Sequence, residues 1–350
     1  MSSDTKQALP GEPPRSVTIS DVALEAGVSK AAVSRFLGGR FELVSAQNQA
    51  QIEAAIGRLG YRPNRLARGL KRGRTRLIGF VAANATNPYS VEVMRSAERA
   101  CRARGYSMML CNSADDPATE QDILDTLAAY SVEGIILHTT SERHKTSARA
   151  TDEMKVVLLD RLLAGSRHDY VGLDNADACR QATQHLIGNG FRDIAFVSET
   201  IAGVSTREER SSVFLSEAAR HAGVRGRIIE VDLADESALA ALVAAFVGDR
   251  DGSLGPKAMI AGSGITTLRV VRAIHRLGLA MPDDLGFIGF DELEWSPLVS
   301  GGITTIAQPT DAIGGTAVSH LMDRIGGDLS PRRKTVFQGQ LIARRSSAAV

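Results

Sequence analysis

From residue 77 onwards, short runs of hydrophobic residues alternate with longer stretches whose apolar positions recur every three to four residues. The short runs are typical of buried β-strands, and the longer stretches are typical of amphipathic helices. The predicted strands are 77–83, 107–113, 134–139, 156–160, 193–198, 228–232, 258–262 and 285–290. The predicted helices are 90–104, 118–130, 175–188, 208–222, 235–248 and 265–278.

Strands that alternate with helices predict an α/β fold in which a parallel sheet is covered on both faces. Eight such strands fit either one closed barrel or two doubly wound subdomains, and the pattern alone does not choose between them. In such folds ligands generally bind at the carboxyl ends of the strands. The residues that follow each strand are therefore the candidates for binding.

The pattern before residue 40 is different, because two short amphipathic segments flank Gly27. Thr18 is predicted to cap a helix that begins at Ile19, and Ser29 is predicted to cap the next helix. Glycine suits the tight turn that must join two such helices. This layout predicts an N-terminal all-α helix-turn-helix domain, and the alternative is an ordinary helical hairpin.

The second helix of such a motif enters the DNA major groove with its N-terminal residues at the base edges. Lys30 and Arg35 are predicted to point outward, where they can donate hydrogen bonds to guanine, and Ala31 can contact a thymine methyl group. The predicted DNA contacts in this domain are Thr18, Ser29, Lys30, Ala31, Ser34 and Arg35.

Charge is distributed unevenly, although the whole chain has 41 Lys+Arg against 40 Asp+Glu. Residues 1–76 carry 13 bases and 6 acids, a net charge of +7, whereas residues 77–350 carry a net charge of −6. Eight of the bases and no acid lie within 58–76. Basic residues displace counterions from DNA, so DNA binding is expected to weaken steeply as salt rises.

Composition argues against several other classes of protein. The three cysteines show no CxxC spacing, which fits a reducing cytoplasm and gives no sign of a zinc site or a disulfide framework. No apolar run reaches the length of a membrane span. Residues 1–16 contain three prolines and lack the apolar core of a signal peptide, so we expect a disordered arm and a cytoplasmic protein.

Sequence signatures of enzymes are missing. The chain has no GxGxxG after the first strand, no P-loop, no GxSxG and no HExxH. The turn 262–264 follows a strand but lacks the flanking pattern of a nucleophile or phosphate loop. We therefore expect no catalytic residues, no cofactor and no metal.

Motifs in a fixed order resemble the lac repressor family (LacI/GalR) across nearly the whole chain. Behind the helix-turn-helix these motifs are LGYRPNRLARGL, IGFVAANATNPYS, VEGIIL, VVLLDR, VGLDN, HLIGNGFRDIAF, PDDLGFIGFDE and ITTIAQP. The resemblance implies a dimeric bacterial transcription regulator whose core is periplasmic-binding-protein-like, with two doubly wound parallel-sheet subdomains. It therefore favours the two subdomains over the barrel.

The resemblance also implies the domain boundaries. After the arm, the expected domains are 17–62 for the helix-turn-helix, 63–76 for a hinge helix and linker, and 77–350 for an effector-binding and dimerisation core. Within the core, the N-subdomain is expected to hold 77–172 and 309–335, and the C-subdomain 173–308 and 336–350. The chain would then cross between subdomains near 171–174 and 306–309 and return near Val336.

In the hinge, the resemblance assigns DNA contacts to Asn64, Arg68, Leu70 and Lys71. Leu70 corresponds to a leucine that wedges into the operator minor groove, which unstacks bases and kinks the duplex. Its basic neighbours suit a minor groove, and the alternative is that Leu70 packs under its own domain. Two hinges at a two-fold axis predict a pseudo-palindromic operator.

For the core, the resemblance implies an effector cleft lined by Tyr89, Ser90, Asp160, Thr206, Arg210, Ser263 and Asp291. Arg210 offers a planar fork that suits a carboxylate, and the two aspartates can accept hydrogen bonds from hydroxyl groups. The family usually has an Asn-Asp pair where this chain has Ser263-Gly264, so the usual sugar-hydroxyl contacts are not expected to carry over unchanged. For each residue the alternative is a solvated charge or an internal ion pair.

Long runs, among them KAAVSRFLGG, LARGLKRGRTRLIGF, VGLDNADA and STREER, resemble the 2-ketogluconate-responsive branch of the family. The resulting hypothesis is a repressor whose operator binding is relieved by a sugar acid, 2-ketogluconate or a related hexonate. No heptad-bearing tail follows the last strand, so a homodimer is expected. There are three alternatives: a different sugar as effector, corepressor or activator logic, and control by a protein partner. A transport receptor conflicts with the helix-turn-helix and the lack of a signal peptide, and a fused enzyme conflicts with the lack of catalytic signatures.

Overall fold

The computed structural model describes residues 17–62, 74–140, 154–249 and 254–349. The chain divides into two compact units, Met1–Thr75 and Arg76–Val350. Each unit has its own buried hydrophobic core. The division falls at the end of the basic stretch 58–76.

The described part of the N-terminal unit contains three α-helices, α1 (Ile19–Glu25), α2 (Lys30–Leu37) and α3 (Ala46–Leu59), and a 3-10 turn at Phe41–Leu43. Helix α1 begins at the predicted residue because Thr18 and Asp21 cap it reciprocally. The Asp21 N–H donates to the Thr18 hydroxyl (3.4 Å), and the Thr18 N–H donates to the Asp21 carboxylate (2.8 Å). The turn after α1 passes through Gly27 at φ +63°.

The helix-turn-helix is held by a small apolar core. Val22 of α1, Val33 of α2 and Ile52 of α3 are fully buried in it. The sequence pattern predicts α1 and α2 but does not identify α3, which closes the core on its third side. The face of α2 opposite this core stays open.

The second unit contains two six-stranded sheets, and the helices pack against them. The first sheet has the order β11-β5-β4-β3-β1-β2 and is parallel throughout. The second has the order β12-β10-β9-β8-β6-β7, in which β12 alone is antiparallel. The strands are β1 (Leu77–Ala82), β2 (Ser107–Asn112), β3 (Gly134–Leu137), β4 (Lys155–Leu159), β5 (Asp169–Leu173), β6 (Asp193–Ser198), β7 (Arg225–Glu230), β8 (Lys257–Ala261), β9 (Gly286–Phe290), β10 (Thr304–Ala307), β11 (Lys334–Phe337) and β12 (Gln340–Ile342).

The helices of this unit fall between the strands as a doubly wound fold requires. Within the described residues they are α4 (Pro88–Ala103), α5 (Pro117–Ala129), α6 (Asn175–Gly188), α7 (Ser205–Ala219), α8 (Glu236–Gly248), α9 (Gly264–Arg276) and α10 (Thr310–Ile325). The predicted α/β fold class is confirmed, and two separate sheets exclude the single barrel. All eight predicted strands and six predicted helices of this unit are present, but β5, β10, β11, β12 and α10 are additional.

The chain passes between the two sheets three times. Strands β1 to β5 belong to the first sheet and β6 to β10 to the second, after which β11 returns to the first and β12 to the second. Val336, near which the return was expected, lies inside β11, and the next strand begins at Gln340. The carboxyl ends of strands from both sheets therefore supply loops to one region of the unit.

Candidate functional site

Helix α2 presents an exposed, mostly polar face. Lys30, Ala31, Ser34 and Arg35 are exposed, whereas Val33 on the opposite face is fully buried. The Ser29 hydroxyl accepts a hydrogen bond from the Ala32 N–H (3.2 Å), so the helix begins where it was predicted to begin. The candidate base-reading side chains therefore project together from the first two turns of one helix.

The hinge part of the predicted DNA interface, Asn64, Arg68, Leu70 and Lys71, lies outside the described residues. At the start of the basic stretch, the Arg58 guanidinium forms an ion pair with Glu25 (2.8 Å). The positive charge of this guanidinium is therefore partly neutralised within its own unit.

The predicted effector residues meet at the carboxyl ends of strands from both sheets. One cavity of about 40 Å³ is lined by six of the seven, namely Tyr89, Asp160, Thr206, Arg210, Ser263 and Asp291. The seventh, Ser90, lies beside this inner cavity and is 3.4 Å from His138, which lines it. Residues far apart in the sequence therefore form a single polar site.

Asp160 and Asp291 occupy equivalent positions in the two sheets. Each follows the fourth strand of its sheet and adopts a left-handed backbone, at φ +60° and +68°. Their backbone N–H groups donate to Val171 and Ile306 on the next strand, both at 3.0 Å. Such a conformation is unfavourable for a non-glycine residue by about 1–3 kcal/mol, and it is found preferentially at functional sites. Each sheet thus aims one carboxylate at the inner cavity.

Asp160 belongs to a buried polar chain. Its Oδ2 is 3.2 Å from His138 Nε2, and the Nδ1 atom of the same ring faces the Ser90 hydroxyl at 3.4 Å. Burial alone would raise the pKa of Asp160, but the contact with His138 and the positive charges of Arg210 and Arg161 hold it below its usual value. The carboxylate is therefore ionised, and its Oδ1 has no hydrogen-bond partner among the described residues.

Arg210, on α7, is fixed from three sides. Its Nε donates to Asn175 Oδ1 and its Nη1 to the Gly262 carbonyl, each at 2.8 Å, and the guanidinium lies 4.1 Å above the Phe290 ring. Its Nη2 makes no hydrogen bond to the residues that the structure describes. A planar donor held in one orientation is suited to binding a carboxylate.

Asp291 is also buried, but its pKa is shifted in the other direction. Burial raises the pKa of this carboxyl, even though hydrogen bonds from Gln308 and the Gly264 backbone and the charge of Arg210 act in the opposite direction. The Gln308 side chain donates to Asp291 Oδ1 at 2.6 Å. The two aspartates thus face the same cavity with pKa values shifted in opposite directions.

Several buried polar atoms around the inner cavity lack a partner within the part of the chain that the structure describes. They include Tyr89 Oη, Asp160 Oδ1, Arg161 Nε and Gln308 Oε1. Burial raises the pKa of the Tyr89 phenol well above its usual value, so its hydroxyl stays a neutral donor. Because buried polar groups are nearly always hydrogen-bonded in native proteins, such a cluster marks a candidate ligand site.

The inner cavity adjoins a larger one of about 860 Å³. Both are lined by Asn84, Asp115, Arg161, Glu199, Arg207 and Ile265, and together they are called the cleft below. Ion pairs from both sides line the shared region, with Arg161 3.3 Å from Asp115 and Arg207 2.9 Å from Glu199. The inner cavity by itself has room for about one water, whereas the whole cleft has room for a sugar-sized molecule.

Sequence reasoning missed several groups in the cleft. Arg161 directly follows the predicted strand 156–160, so its position carried a usable signal, whereas His138 falls inside the predicted strand 134–139 and in fact follows the shorter β3. Gln308 follows β10, which the pattern did not reveal. A separate cavity of about 690 Å³ beside Trp295 is lined by none of the predicted effector residues.

In the described residues there is no cluster of three or more His, Cys, Asp or Glu side chains able to hold a metal ion. Over the same part of the chain, every helix is too short or too polar to cross a bilayer.

Comparisons with known proteins place the chain in a family. Residues 18–64 match the bacterial regulatory proteins of the lacI family, and residues 183–347 match a periplasmic binding protein-like domain. The transcriptional regulator PtxS of Pseudomonas plecoglossicida is 46% identical over 331 residues, which cover 95% of this chain and 96% of that protein. The chain belongs to the LacI family.

A second LacI-family relative, the transcriptional regulator KdgR of Bacillus subtilis, is 38% identical over 333 residues, covering 94% of this chain and 97% of that protein. The fold is similar to a crystal structure of the lac repressor dimer bound to operator and an anti-inducer, with a TM-score of 0.80 and 23% identity, over 96% of this chain and 100% of that one. The protein is therefore a DNA-binding transcriptional regulator, as its sequence predicted, and not an enzyme.

Proposed function

We propose that this protein is a cytoplasmic repressor that holds a pseudo-palindromic operator as a homodimer and releases it when a small sugar acid enters the cleft. The effector is 2-ketogluconate or a related hexonate. The N-terminal residues of α2 read the operator, and the hinge around Leu70 bends it.

The observation that carries this proposal is the group of buried, unpartnered polar atoms around one cavity. Arg210 Nη2 and Tyr89 Oη can donate hydrogen bonds, as a carboxylate and a keto oxygen require. Asp160 Oδ1 and Gln308 Oε1 can accept them, as sugar hydroxyls require. A sugar acid carries all of these groups on one small skeleton, and resemblance to the 2-ketogluconate-responsive branch supports the same effector.

The direct test is operator binding measured with and without effector. An operator duplex is first selected from random duplexes by the full-length protein, and its affinity is then followed by fluorescence anisotropy. We expect 2-ketogluconate to weaken operator binding by about 5- to 150-fold, the usual range of allosteric coupling. Glucose, which lacks the carboxylate, serves as the control. Tighter binding would assign a corepressor, and no response to 2-ketogluconate or gluconate would refute the proposed effector class.

Arg210→Lys tests the carboxylate contact. Lysine cannot occupy the Asn175 and Gly262 acceptors and still present a planar donor, so we expect 2-ketogluconate affinity to fall by at least about tenfold. Isothermal titration calorimetry gives the dissociation constant. The matched control is Arg220→Lys, just after the same helix, where the side chain is 66% exposed and the affinity should not change.

A further inference from the structure

Gly264, the first residue of α9, stands directly against the Asp291 carboxylate. An ideal Cβ atom at residue 264 would lie 2.4 Å from Asp291 Oδ2, 3.2 Å from its Cγ and 3.3 Å from its Cβ. The aspartate therefore occupies the space that a side chain at position 264 would need. Gly264 does not have a left-handed backbone, so its conformation alone does not require glycine.

The Asp291 carboxylate is also fixed from its other side. Gln308 Nε2 donates to Oδ1 at 2.6 Å. Since the Gln308 amide nitrogen is engaged in this way, its Oε1 is left as a buried acceptor without a partner at the inner cavity. The position of Asp291 thus determines which atom of Gln308 a ligand meets.

We propose that Gly264 is a positioning residue of the effector cleft. Because Gly264 has no side chain, the Asp291 carboxylate fits directly against it. This fixes the part of the cleft where Asp291 and Gln308 accept hydrogen bonds from the hydroxyl groups of a ligand. This inference rests on the proposed function for the identity of the ligand. The geometric part, in which residue 264 controls Asp291, stands on the contacts alone.

A side chain at position 264 would move Asp291 and leave the fold in place. The atom nearest to the new Cβ is the end of a side chain, whereas ordinary van der Waals contact begins near 3.4 Å, so Oδ2 must retreat by about 1 Å. A shift of that size is enough to break the hydrogen bond with Gln308. We therefore expect Gly264→Ala to fold and to bind 2-ketogluconate at least about tenfold more weakly than the unchanged protein.

The experiment is a double-mutant cycle on the full-length chain, with 2-ketogluconate dissociation constants from calorimetry. Gly264→Ala is compared in the unchanged background and in the Asp291→Ala background, where the new methyl group has no carboxylate to displace. We expect the effect in the first background to vanish in the second, which is the non-additivity of two residues that act through one contact. Gly188→Ala, at the end of α6 with nothing within 4 Å of the added Cβ, should leave the affinity unchanged.

The thermal unfolding of the ligand-free variants gives a readout that does not depend on the effector. Displacement of Asp291 predicts that Gly264→Ala lowers the melting temperature in the unchanged background and has a smaller effect in the Asp291→Ala background. If the unchanged protein does not bind 2-ketogluconate, the proposed function fails and this second cycle alone decides the role of Gly264. Equal losses in both backgrounds, or unaltered affinity in Gly264→Ala, would overturn the inference.

Discussion

Asp169 shows how one residue ties a late segment of the chain to the first sheet. It begins β5, its side chain is fully buried, and Arg324 and Arg333 each donate to it through two side-chain nitrogens at 2.7–3.1 Å. The Arg333 backbone N–H donates to the same carboxylate at 2.8 Å. Burial alone would raise the pKa of Asp169, but these hydrogen bonds hold it far below its usual value. The charge is therefore retained inside the protein.

Asp169→Asn should lower the free energy of unfolding at pH 7 by about 3–5 kcal/mol, because it leaves two cations without their buried partner. The pKa of Asp169 is lowered in the folded state, so its contribution is complete above the unfolded value of about 3.9 and is lost as the pH falls towards the folded value. Urea unfolding at about pH 7, 4 and 2.5 should show a full gap at the first two values and the variant approaching the unchanged protein only at the most acid one, below the unfolded pKa of about 3.9. Asp311→Asn, whose partner Arg99 is exposed, should change stability by no more than about 0.5 kcal/mol. A gap that is independent of pH would contradict this account.

At the residue scale, sequence reasoning located cleft residues better than it described their partners. A residue such as Asp160 can be placed at the mouth of a cleft because it directly follows an apolar strand. Its contact with His138 depends on how β3 and β4 pair, which is a tertiary property. The effect of Gly264 on the position of Asp291 could not be predicted from the sequence either, because it depends on Asp291 lying against the backbone at residue 264.

At the scale of elements, the packing of α4 against α10 depends on one glycine of a pair. A Cβ added at Gly314 would lie 2.6 Å from the Val93 carbonyl oxygen, 2.8 Å from Ser96 Cβ and 3.0 Å from the Ala97 nitrogen. Two of these are backbone atoms that cannot rotate away. At the neighbouring Gly315 an added Cβ meets nothing within 4 Å.

The two glycines should therefore respond to the same substitution with opposite signs. Gly314→Ala should destabilise the protein by about 1–3 kcal/mol, because the helices must separate. Gly315→Ala should stabilise it by about 0.4–1 kcal/mol, because alanine restricts the unfolded chain. Urea midpoints of the two variants, compared with that of the unchanged protein, test both. If the two variants shifted in the same direction, close packing at Gly314 would not be the cause.

The same glycine pair helps to explain why α10 was not predicted. Two adjacent glycines lower helix propensity in the middle of the segment, and its stability comes from packing against α4 and three strands. Strands β11 and β12 have only four and three residues, so periodicity has little to act on. The eight predicted strands were recognisable because each is an apolar run next to a clearly amphipathic stretch, whereas the five-residue β5 was missed although it is fully buried. The hydrophobic pattern did not show that the chain returns to the first sheet.

At the scale of the whole molecule, charge and function divide in the same way. Residues 1–76, which include the candidate DNA-reading helix, carry a net charge of +7, and the remaining residues carry −6. The acidic part contains the cleft, with Asp115, Asp160, Glu199 and Asp291 at or near its inner cavity. We expect this separation of a basic N-terminal part from an acidic core to limit non-specific DNA binding to the N-terminal unit.

Because the two activities lie in different units, coupling between them must be reciprocal if it exists. We expect the selected operator duplex to weaken 2-ketogluconate binding by the same factor, about 5- to 150-fold, by which 2-ketogluconate weakens operator binding. Calorimetric titration of effector into protein with and without saturating operator measures the first factor, and anisotropy measures the second. A duplex with scrambled half-sites should leave effector affinity unaltered. Unequal factors in the two titrations would mean that release of DNA involves a process other than binding at the cleft.

Leu70→Ala, in the predicted hinge outside the described residues, should abolish most operator affinity yet preserve effector binding, since its predicted contact is with DNA alone. Anisotropy and calorimetry on this variant measure the two affinities.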